Sequence, residues 1–434
     1  MSSYMGTITE YGCIAEHLGH SFSGEIHHLI GLALAGEKAD DGSYRYALQE
    51  LTPDEIENFF ERRNFKGINV TIPYKQAVIP YLDELSDSAR EIGAVNTIVS
   101  RDGRLIGDNT DFFGMNYALS LAGINLKNKK VLIFGTGGTS KTAYTVAKHQ
   151  GARTILKVSR RAQDGCVTYD DLSQHLDAEI IMNTTPAGMF PNDERSPLPP
   201  AVSLADFKGL CGVFDAIYHP LRTELISSAT ALKIPATGGL SMLVAQAAAA
   251  TERFLNCSIS NNVVEHVIKV LQSQKENIVL IGMPASGKTT IGRLLSQKLG
   301  RELIDTDEEI TKIVGITPAE YIAQYGEQEF RRVESEVIRE RIAPLNGVII
   351  ATGGGAVLND SNVRRLKRNG RLYFLDRSLE SLEATPDRPL SADKTLLRQR
   401  YEERYDRYCS VADVRIEINE GETPGVTATK ILNI

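Results

Sequence analysis

The stretch from Gln272 to Gly292 constrains this chain more than any other. A polar run, Gln272-Ser273-Gln274-Lys275-Glu276-Asn277, precedes apolar Ile278-Val279-Leu280-Ile281 and then Gly282-Met283-Pro284-Ala285-Ser286-Gly287-Lys288-Thr289. The last run has the spacing G-x-x-x-x-G-K-[ST] of a phosphate-binding loop. Its context fits: a short strand before it, and after it a helical pattern with Ile291, Leu294, Leu295 and Leu299 on one face and Gly300 as the stop. Glycines let backbone N–H groups approach phosphate oxygens, and a helix N-terminus favours negative charge. Lys288 adds a point charge, and the hydroxyl of Thr289 suits Mg2+. A new nucleotide-binding domain is therefore expected to start near Asn277, and everything before it needs a separate account.

The 434 residues suffice for roughly two to four domains. A net charge of −7 gives no reason to expect nucleic acid or an anionic membrane as a partner, although phosphate sites can be locally basic. Cys13, Cys166, Cys211, Cys257 and Cys409 are scattered and form no C-x-x-C pair. That pattern suits buried thiols in a reducing cytoplasm and argues against a disulfide framework or a zinc site. The N-terminus lacks a signal-peptide pattern and no apolar run is long enough to span a bilayer, so a cytoplasmic protein is expected. Oligomeric state is not legible.

Taken in order, Tyr11 to Ala15 reads as a strand and Glu25 to Leu34 as a helix, joined by the hydroxyl-bearing loop Leu18-Gly19-His20-Ser21-Phe22-Ser23. A helix cap alone would explain Ser23. Thr52-Pro53-Asp54-Glu55 is a capping box with proline at the first helical position. Lys66 to Ile72 is a strand closed by Pro73, and it delivers Lys75 to its end. Gly93-Ala94-Val95-Asn96-Thr97-Ile98 begins another strand, with Asp102-Gly103 as a hairpin turn. The return strand ends in Gly107-Asp108-Asn109-Thr110-Asp111, where Asp111 could simply cap the next helix. Three strand-end loops rich in Ser, Asn, Thr, Asp and Lys suit a polyhydroxylated ligand.

Lys129 to Phe134 is a strand leading into Gly135-Thr136-Gly137-Gly138-Thr139-Ser140-Lys141 and a helix with Ala143, Val146 and Ala147 on its apolar face. This approaches the dinucleotide fingerprint G-x-G-x-x-G, with Ser140 in place of the third glycine. The next strand, Thr154 to Val158, ends at Ser159-Arg160-Arg161. An NAD site would place an acid there for the ribose hydroxyls, whereas two arginines suit the 2′-phosphate of NADP. Gly135, Thr136, Gly137, Gly138, Thr139, Ser159, Arg160 and Arg161 are the candidate NADP residues. Further strands end near Thr185 and Tyr218, and Thr237-Gly238-Gly239 opens an alanine-rich helix carrying Gln246. Loops at such ends border the cofactor crevice in doubly wound folds, so Thr185 and Gly239 join the cofactor candidates. By default Gln246 would be a surface residue.

In this order the loops resemble shikimate dehydrogenase across residues 6 to 271, through Ser21-x-Ser23, Asn69-Val70-Thr71-Ile72-Pro73-Tyr74-Lys75, Gly93 to Thr97, Gly107 to Asp111 and Met242-Leu243-x-x-Gln246. The resemblance implies that Lys75 and Asp111 form the catalytic pair. It also implies that Ser21, Ser23, Thr71, Asn96, Asp111, Tyr218 and Gln246 hold the substrate. Gly24 stands where proline often follows the second serine, and Thr136 where alanine is usual; neither removes a functional group.

Beyond the phosphate loop, Glu302 to Asp307 reads as a strand whose Asp305 and Asp307 would share a face. An acidic helix start is the competing reading. Phe330-Arg331-Arg332-Val333-Glu334 lies in a helical stretch, where charged pairs ordinarily face solvent. Val348 to Thr352 is a buried strand ending in Gly353-Gly354-Gly355, which implies close approach of a ligand. Together these resemble shikimate kinase over residues 277 to 434. The resemblance places ATP on Ala285, Ser286, Gly287, Lys288, Thr289 and Thr290, and Mg2+ on Thr289 with Asp305 near the metal. It assigns shikimate to Asp307, Arg331, Gly354 and Arg404, makes Arg388 the lid arginine on the transferred phosphoryl, and has Asp307 orient the 3-hydroxyl. Asp307, Lys288 and Arg388 are the expected catalytic groups. The lid is short, with Ala384 where many relatives have a second arginine.

The expected architecture is α/β throughout. A mixed-sheet substrate domain spans 1–111 and is completed by 238–272, a Rossmann NADP domain spans 112–237, and a P-loop domain resembling nucleoside monophosphate kinases spans 277–434. The expected activities are reduction of 3-dehydroshikimate with NADPH and phosphorylation of shikimate with ATP and Mg2+. A quinate/shikimate dehydrogenase fused to another small-polyol kinase is the alternative enzyme reading. A shikimate-sensing regulator should lack catalytic groups, yet Lys75, Asp111, Lys288, Asp307 and Arg388 are all present.

Overall fold

The computed structural model describes residues 4–19, 21–35, 44–163, 165–382 and 394–434. His20, Ala384 and Arg388 lie outside the described residues. Two compact units divide the chain, Met1–Leu271 and Gln272–Ile434.

The first unit holds two sheets. Strands β1 (Tyr11–Ala15), β2 (Tyr46–Glu50), β3 (Gly67–Val70), β4 (Glu84–Leu85), β5 (Thr97–Arg101) and β6 (Arg104–Asp108) form a mixed sheet in the order β2-β1-β3-β5-β6-β4. β1 runs parallel to β2 and β3, while β3–β5 and β5–β6 are antiparallel. The β5–β6 turn is made by Asp102 and Gly103, at φ 52° and 76°, the left-handed pair that a two-residue hairpin needs. Ile14, Ile68, Ile98 and Leu105 are fully buried in this sheet's core, each stabilising the fold by about 2 kcal/mol.

The second sheet contains β7 (Lys130–Phe134), β8 (Thr154–Ser159), β9 (Cys166–Thr168), β10 (Ile180–Asn183), β11 (Gly212–Asp215) and β12 (Ala236–Thr237), ordered β12-β11-β10-β7-β8-β9. All its pairings are parallel. This is the doubly wound order whose topological switch point lies between the first and fourth strands, here β7 and β10.

Two helices, Asp111–Leu121 and Gly239–Leu255, follow β6 and β12 and pack closely on each other. Glycine permits the approach: a Cβ on Gly114 would lie 2.5 Å from the carbonyl oxygen of Met242. Most of the Gly239–Leu255 helix is buried, so Gln246 is an interior residue and the default expectation of a surface glutamine does not hold.

The Asn261–Lys275 helix buries Val264, Val267, Ile268 and Leu271 at helical spacing. It runs on through Lys275, so the polar run at Gln272–Asn277 is mostly a last helical turn rather than an irregular break. Gln, Ser and Lys carry no bar to helix, and only Glu276 separates this helix from the following strand.

In the second unit, β13 (Asn277–Ile281), β14 (Leu303–Asp305), β15 (Ile349–Ala351), β16 (Gly370–Arg377) and β17 (Val414–Ile418) form one parallel sheet, ordered β14-β15-β13-β16-β17. The central β13 opens directly onto the phosphate loop and the Lys288–Leu299 helix. Beneath the loop, Leu280, Ile291, Leu295 and Ile349 form a buried cluster that fixes strand against helix.

Candidate active sites

The first site is a cavity of about 390 Å³ at the ends of β1, β3 and β5, lined by Ser21, Ser23, Thr71, Lys75, Asn96, Asp111, Tyr218 and Gln246, among others. Lys75 is held there from its neighbours: the Tyr74 hydroxyl donates to the Leu51 carbonyl at 2.6 Å, and the Val95 N–H donates to the Lys75 carbonyl at 2.7 Å. Lys75 Nζ donates to Asp111 Oδ2 at 2.6 Å, and Asn96 Nδ2 donates to Asp111 Oδ1 at 2.9 Å. Asn96 Oδ1 in turn accepts from the Thr110 N–H at 2.7 Å and from Thr97 Oγ1 at 3.0 Å. Both carboxylate oxygens of Asp111 are thus occupied, and the lysine beside it is fixed in direction. Asn96 Nδ2 and Thr110 Oγ1 each reach Gln246 Oε1 at 3.4 Å, and Gln246 Nε2 donates to the Leu243 carbonyl at 2.9 Å. The Ser21 hydroxyl donates to Ser23 Oγ at 3.0 Å.

Burial pushes the Tyr218 phenol upward, so it stays a neutral donor. Burial likewise pushes the Cys13 thiol at the cavity wall up to about 12, which keeps it a thiol. Asn69 lines the same cavity but carried no assignment of its own in the sequence. It accepts from Tyr46 Oη at 2.7 Å and donates to the Asn96 carbonyl at 3.2 Å, supporting the loop that presents Asn96. Its presence within the Asn69-Val70-Thr71 run was the only signal.

A second cavity of about 1510 Å³ lies at the carboxyl ends of β7, β8 and β10 and is lined by Gly135, Thr136, Gly137, Ser159, Arg160, Arg161 and Thr185. Ser140 fits where glycine would be expected, because its hydroxyl turns inward and donates to the Gly135 carbonyl at 2.7 Å. The Gly138–His149 helix begins at this turn. Ser159 Oγ accepts from the Arg161 N–H at 3.2 Å and from Gln163 Nε2 at 2.6 Å, shaping the turn that exposes both arginines. Thr139 and Gly239 line the first cavity rather than this one, and Gly138 lines neither. Helix start, glycine turn and exposed arginines fit a dinucleotide bearing an extra phosphate.

The second unit's site is a cavity of about 220 Å³ lined by Ala285, Gly287, Lys288, Thr289, Thr290, Asp305, Asp307, Gly353 and Gly354. Gly282, Ala285 and Gly287 take φ of 144°, 63° and 94°, folding the loop so that Lys288 Nζ donates to the Gly282 and Met283 carbonyls at 2.9 and 2.8 Å. Thr289 Oγ1 donates to Asp305 Oδ2 at 2.8 Å, which brings two oxygen groups together as a Mg2+ site requires. The Ser286 hydroxyl is buried within the loop without a partner among the described residues. These features fit a magnesium–nucleotide ligand. Asp305 and Asp307 do reach one cavity, though not by alternation along a strand. β14 stops at Asp305, which caps the following helix by accepting from the Asp307 N–H at 3.0 Å.

Beside the cavity, Arg331 Nη1 donates to Glu334 Oε2 at 2.8 Å and Arg331 Nη2 to Glu327 Oε1 at 3.1 Å. A Cβ on Gly355 would lie 2.2 Å from Arg331 Nη2, so glycine is needed for that guanidinium to lie across the turn. Glu334 is buried, and burial raises its carboxyl against the pull of Arg331. Arg404 is only 2% exposed, yet its Nε and Nη2 are without partners among the described residues. Desolvation and the neighbouring Arg331 and Arg400 hold its guanidinium below the ordinary value. Buried cationic donors of this kind fit an anionic ligand. Sequence reading expected Glu334 to face solvent, whereas it is buried, and missed Glu327 and Tyr408, whose hydroxyl donates to the Gly354 carbonyl. The spacing of Glu334 three residues after Arg331 on one helix could have marked it.

Fold and sites together define a Rossmann-type dehydrogenase joined in one chain to a P-loop small-molecule kinase. Residues 13–98 match the shikimate dehydrogenase substrate binding domain, and residues 284–434 match shikimate kinase. Over 276 residues the chain is 33% identical to a shikimate dehydrogenase (NADP(+)) of Clostridium beijerinckii, covering 61% of this chain and 98% of the relative. A chorismate mutase/shikimate 5-dehydrogenase fusion protein from Clostridium acetobutylicum superposes with a TM-score of 0.55 at 33% identity, covering 61% of this chain and 97% of the other. A shikimate 5-dehydrogenase from Thermus thermophilus, solved with NADP(H) and shikimate, superposes with a TM-score of 0.53 at 26% identity, covering 61% of this chain and 99% of the other. The chain belongs to the shikimate dehydrogenase family through its first unit and carries a shikimate kinase domain in its second.

Proposed function

We propose that this bifunctional shikimate-pathway enzyme reduces 3-dehydroshikimate to shikimate in its first unit and phosphorylates shikimate to shikimate 3-phosphate in its second. The observation that carries the reading is the presence of two polar side-chain sets in one chain, Lys75–Asp111–Asn96–Gln246 and Lys288–Thr289–Asp305–Asp307, each gathered at its own cavity. When bound, NADPH supplies the hydride, and ATP with Mg2+ supplies the transferred phosphoryl group.

In the first unit, Lys75 delivers a proton to the C3 oxygen and stabilises the charge developing there, and Asp111 holds its ammonium on target. Ser21, Ser23 and Tyr218 supply neutral donors for the carboxylate, while Thr71, Asn96 and Gln246 take the hydroxyls. Arg160 and Arg161 pair with the 2′-phosphate. In the second unit, Arg331 and Arg404 grip the carboxylate, Asp307 orients the 3-hydroxyl, and Lys288 neutralises charge on the phosphates. The five free thiols suit a cytoplasmic location, and no helix among the described residues is long and apolar enough to cross a membrane.

The purified chain supplied with 3-dehydroshikimate and NADPH, then ATP and Mg2+, is expected to oxidise the cofactor and yield shikimate 3-phosphate by mass spectrometry. Cofactor oxidation with no phosphorylated product, even from added shikimate, would overturn the reading of the second unit. Phosphorylation of added shikimate without cofactor oxidation would overturn that of the first.

A further inference from the structure

Arg400 lies one turn before Arg404 on the Lys394–Val411 helix, and residues four apart share a face. Three guanidiniums, those of Arg331, Arg400 and Arg404, thus gather at the substrate side of the second unit. Their contacts are unequal. Both terminal nitrogens of Arg331 are engaged, Nη1 by Glu334 and Nη2 by Glu327, whereas Arg404 has buried donors without partners among the described residues. Arg331 still has Nε without a partner among the described residues and a second N–H on each terminal nitrogen, so a two-point grip on an incoming carboxylate is open to it while its two glutamates hold the guanidinium in place. Glu334 has a side chain 1% exposed and is confined. Glu327 has a side chain 36% exposed, and its other oxygen, Oε2, is already 3.4 Å from Arg400 Nη2.

We propose that Arg400 is a positioning residue for the kinase substrate: by sharing Glu327 with Arg331 it offsets part of that glutamate's charge and fixes the carboxylate that orients Arg331 toward the substrate. Without Arg400, Glu327 would pair with Arg331 alone, and its full charge would oppose the anion that Arg331 is to hold. Glu403 lies 3.2 Å from Arg400 Nη1, so the guanidinium of Arg400 is held between two carboxylates, Glu327 and Glu403. The proposal rests on the reading that Arg331 and Arg404 bind the carboxylate of shikimate.

The test is steady-state kinetics of the full-length chain, varying shikimate and ATP separately. Arg400→Leu should raise the KM for shikimate roughly fivefold while kcat and the KM for ATP stay unchanged. Arg400→Lys should restore most of the affinity, because a point charge suffices to hold Glu327. Placed in a Glu327→Gln background, Arg400→Leu should have almost no further effect. An unchanged shikimate KM in Arg400→Leu, equal impairment in Arg400→Lys, or the full loss persisting in the Glu327→Gln background would each overturn the proposal. Arg331→Leu separates the two levels of the argument. If it raises the shikimate KM while Arg400→Leu does not, only the role of Arg400 falls; if it has no effect, the carboxylate site itself has been misassigned.

Discussion

The two active sites differ in how far their polar groups are paired. In the first, Lys75, Asp111, Asn96, Thr110 and Gln246 already hydrogen-bond to one another. In the second, Ser286 Oγ, Arg331 Nε, Glu334 Oε1 and two nitrogens of Arg404 are buried without partners among the described residues. The difference follows the chemistry. A site that hands over one proton must hold its donor in a single direction, and a closed network does that. A site that grips carboxylate and phosphate keeps some cationic donors uncommitted, here Arg331 Nε and two nitrogens of Arg404, at about 1–3 kcal/mol for each buried group left unpaired.

The largest expected effects break the comparison at its acids. Asp111→Asn should lower NADPH oxidation about a thousandfold and leave phosphorylation intact, and Asp307→Asn should do the reverse; each is checked by assaying both activities on one preparation. Loss of both activities in either variant would show that the sites are not separate.

A smaller effect concerns the closed network's support. Burial pushes the imidazole of His27 down to about 3; it stacks on Tyr46 at 3.7 Å and lies 2.7 Å from the Tyr44 hydroxyl. A base whose folded value is depressed contributes stability fully present above about pH 6.5 and lost as pH falls towards the folded value. Between pH 6.5 and 4.5 the loss should be on the order of 3 kcal/mol. Asp215, raised by burial to about 6, acts in the opposite sense, its contribution being lost as pH rises through that value. Denaturant unfolding of His27→Gln should show a flatter acid limb than the parent chain, though a lower stability at neutral pH.

Cofactor choice sharpens the comparison next. Arg160→Ala combined with Arg161→Ala should weaken the preference for NADPH over NADH by ~30-fold in kcat/KM, leaving the kinase untouched. The smallest effect is thermal. In calorimetry, the transition of the kinase unit should rise about 3–5 °C more on adding shikimate and ATP than the dehydrogenase transition does on adding shikimate and NADP, because only the former recovers unpaired groups.

Glycine turns after apolar strands made both nucleotide sites legible in the sequence, since a phosphate loop is a local structure fixed by neighbouring residues. Lys75 and Asp111 were legible only through the family motifs. By residue type alone, each has an ordinary surface or capping role, and the 2.6 Å contact between them depends on strands far apart in the chain. Gln246 shows the same limit more sharply. Its burial follows from the close approach permitted by Gly114, which no pattern around Gln246 reveals. The shared cavity of Asp305 and Asp307 was expected, but by strand alternation; the helix that starts at Thr306 takes Asp307 there by another path. Glu327 and Arg400 went unremarked and Glu334 was expected to face solvent because charged pairs on helices are usually solvated, and only the fold shows which face is enclosed.

The central claim is that one chain carries two independently acting active sites. Its most direct test is to make Lys75→Met and Lys288→Ala as separate full-length proteins. Each alone should fail to convert 3-dehydroshikimate to shikimate 3-phosphate, each should keep the activity of its intact site, and an equimolar mixture should restore the full conversion. A mixture that stays inactive, or a single variant that loses both activities, would contradict the account.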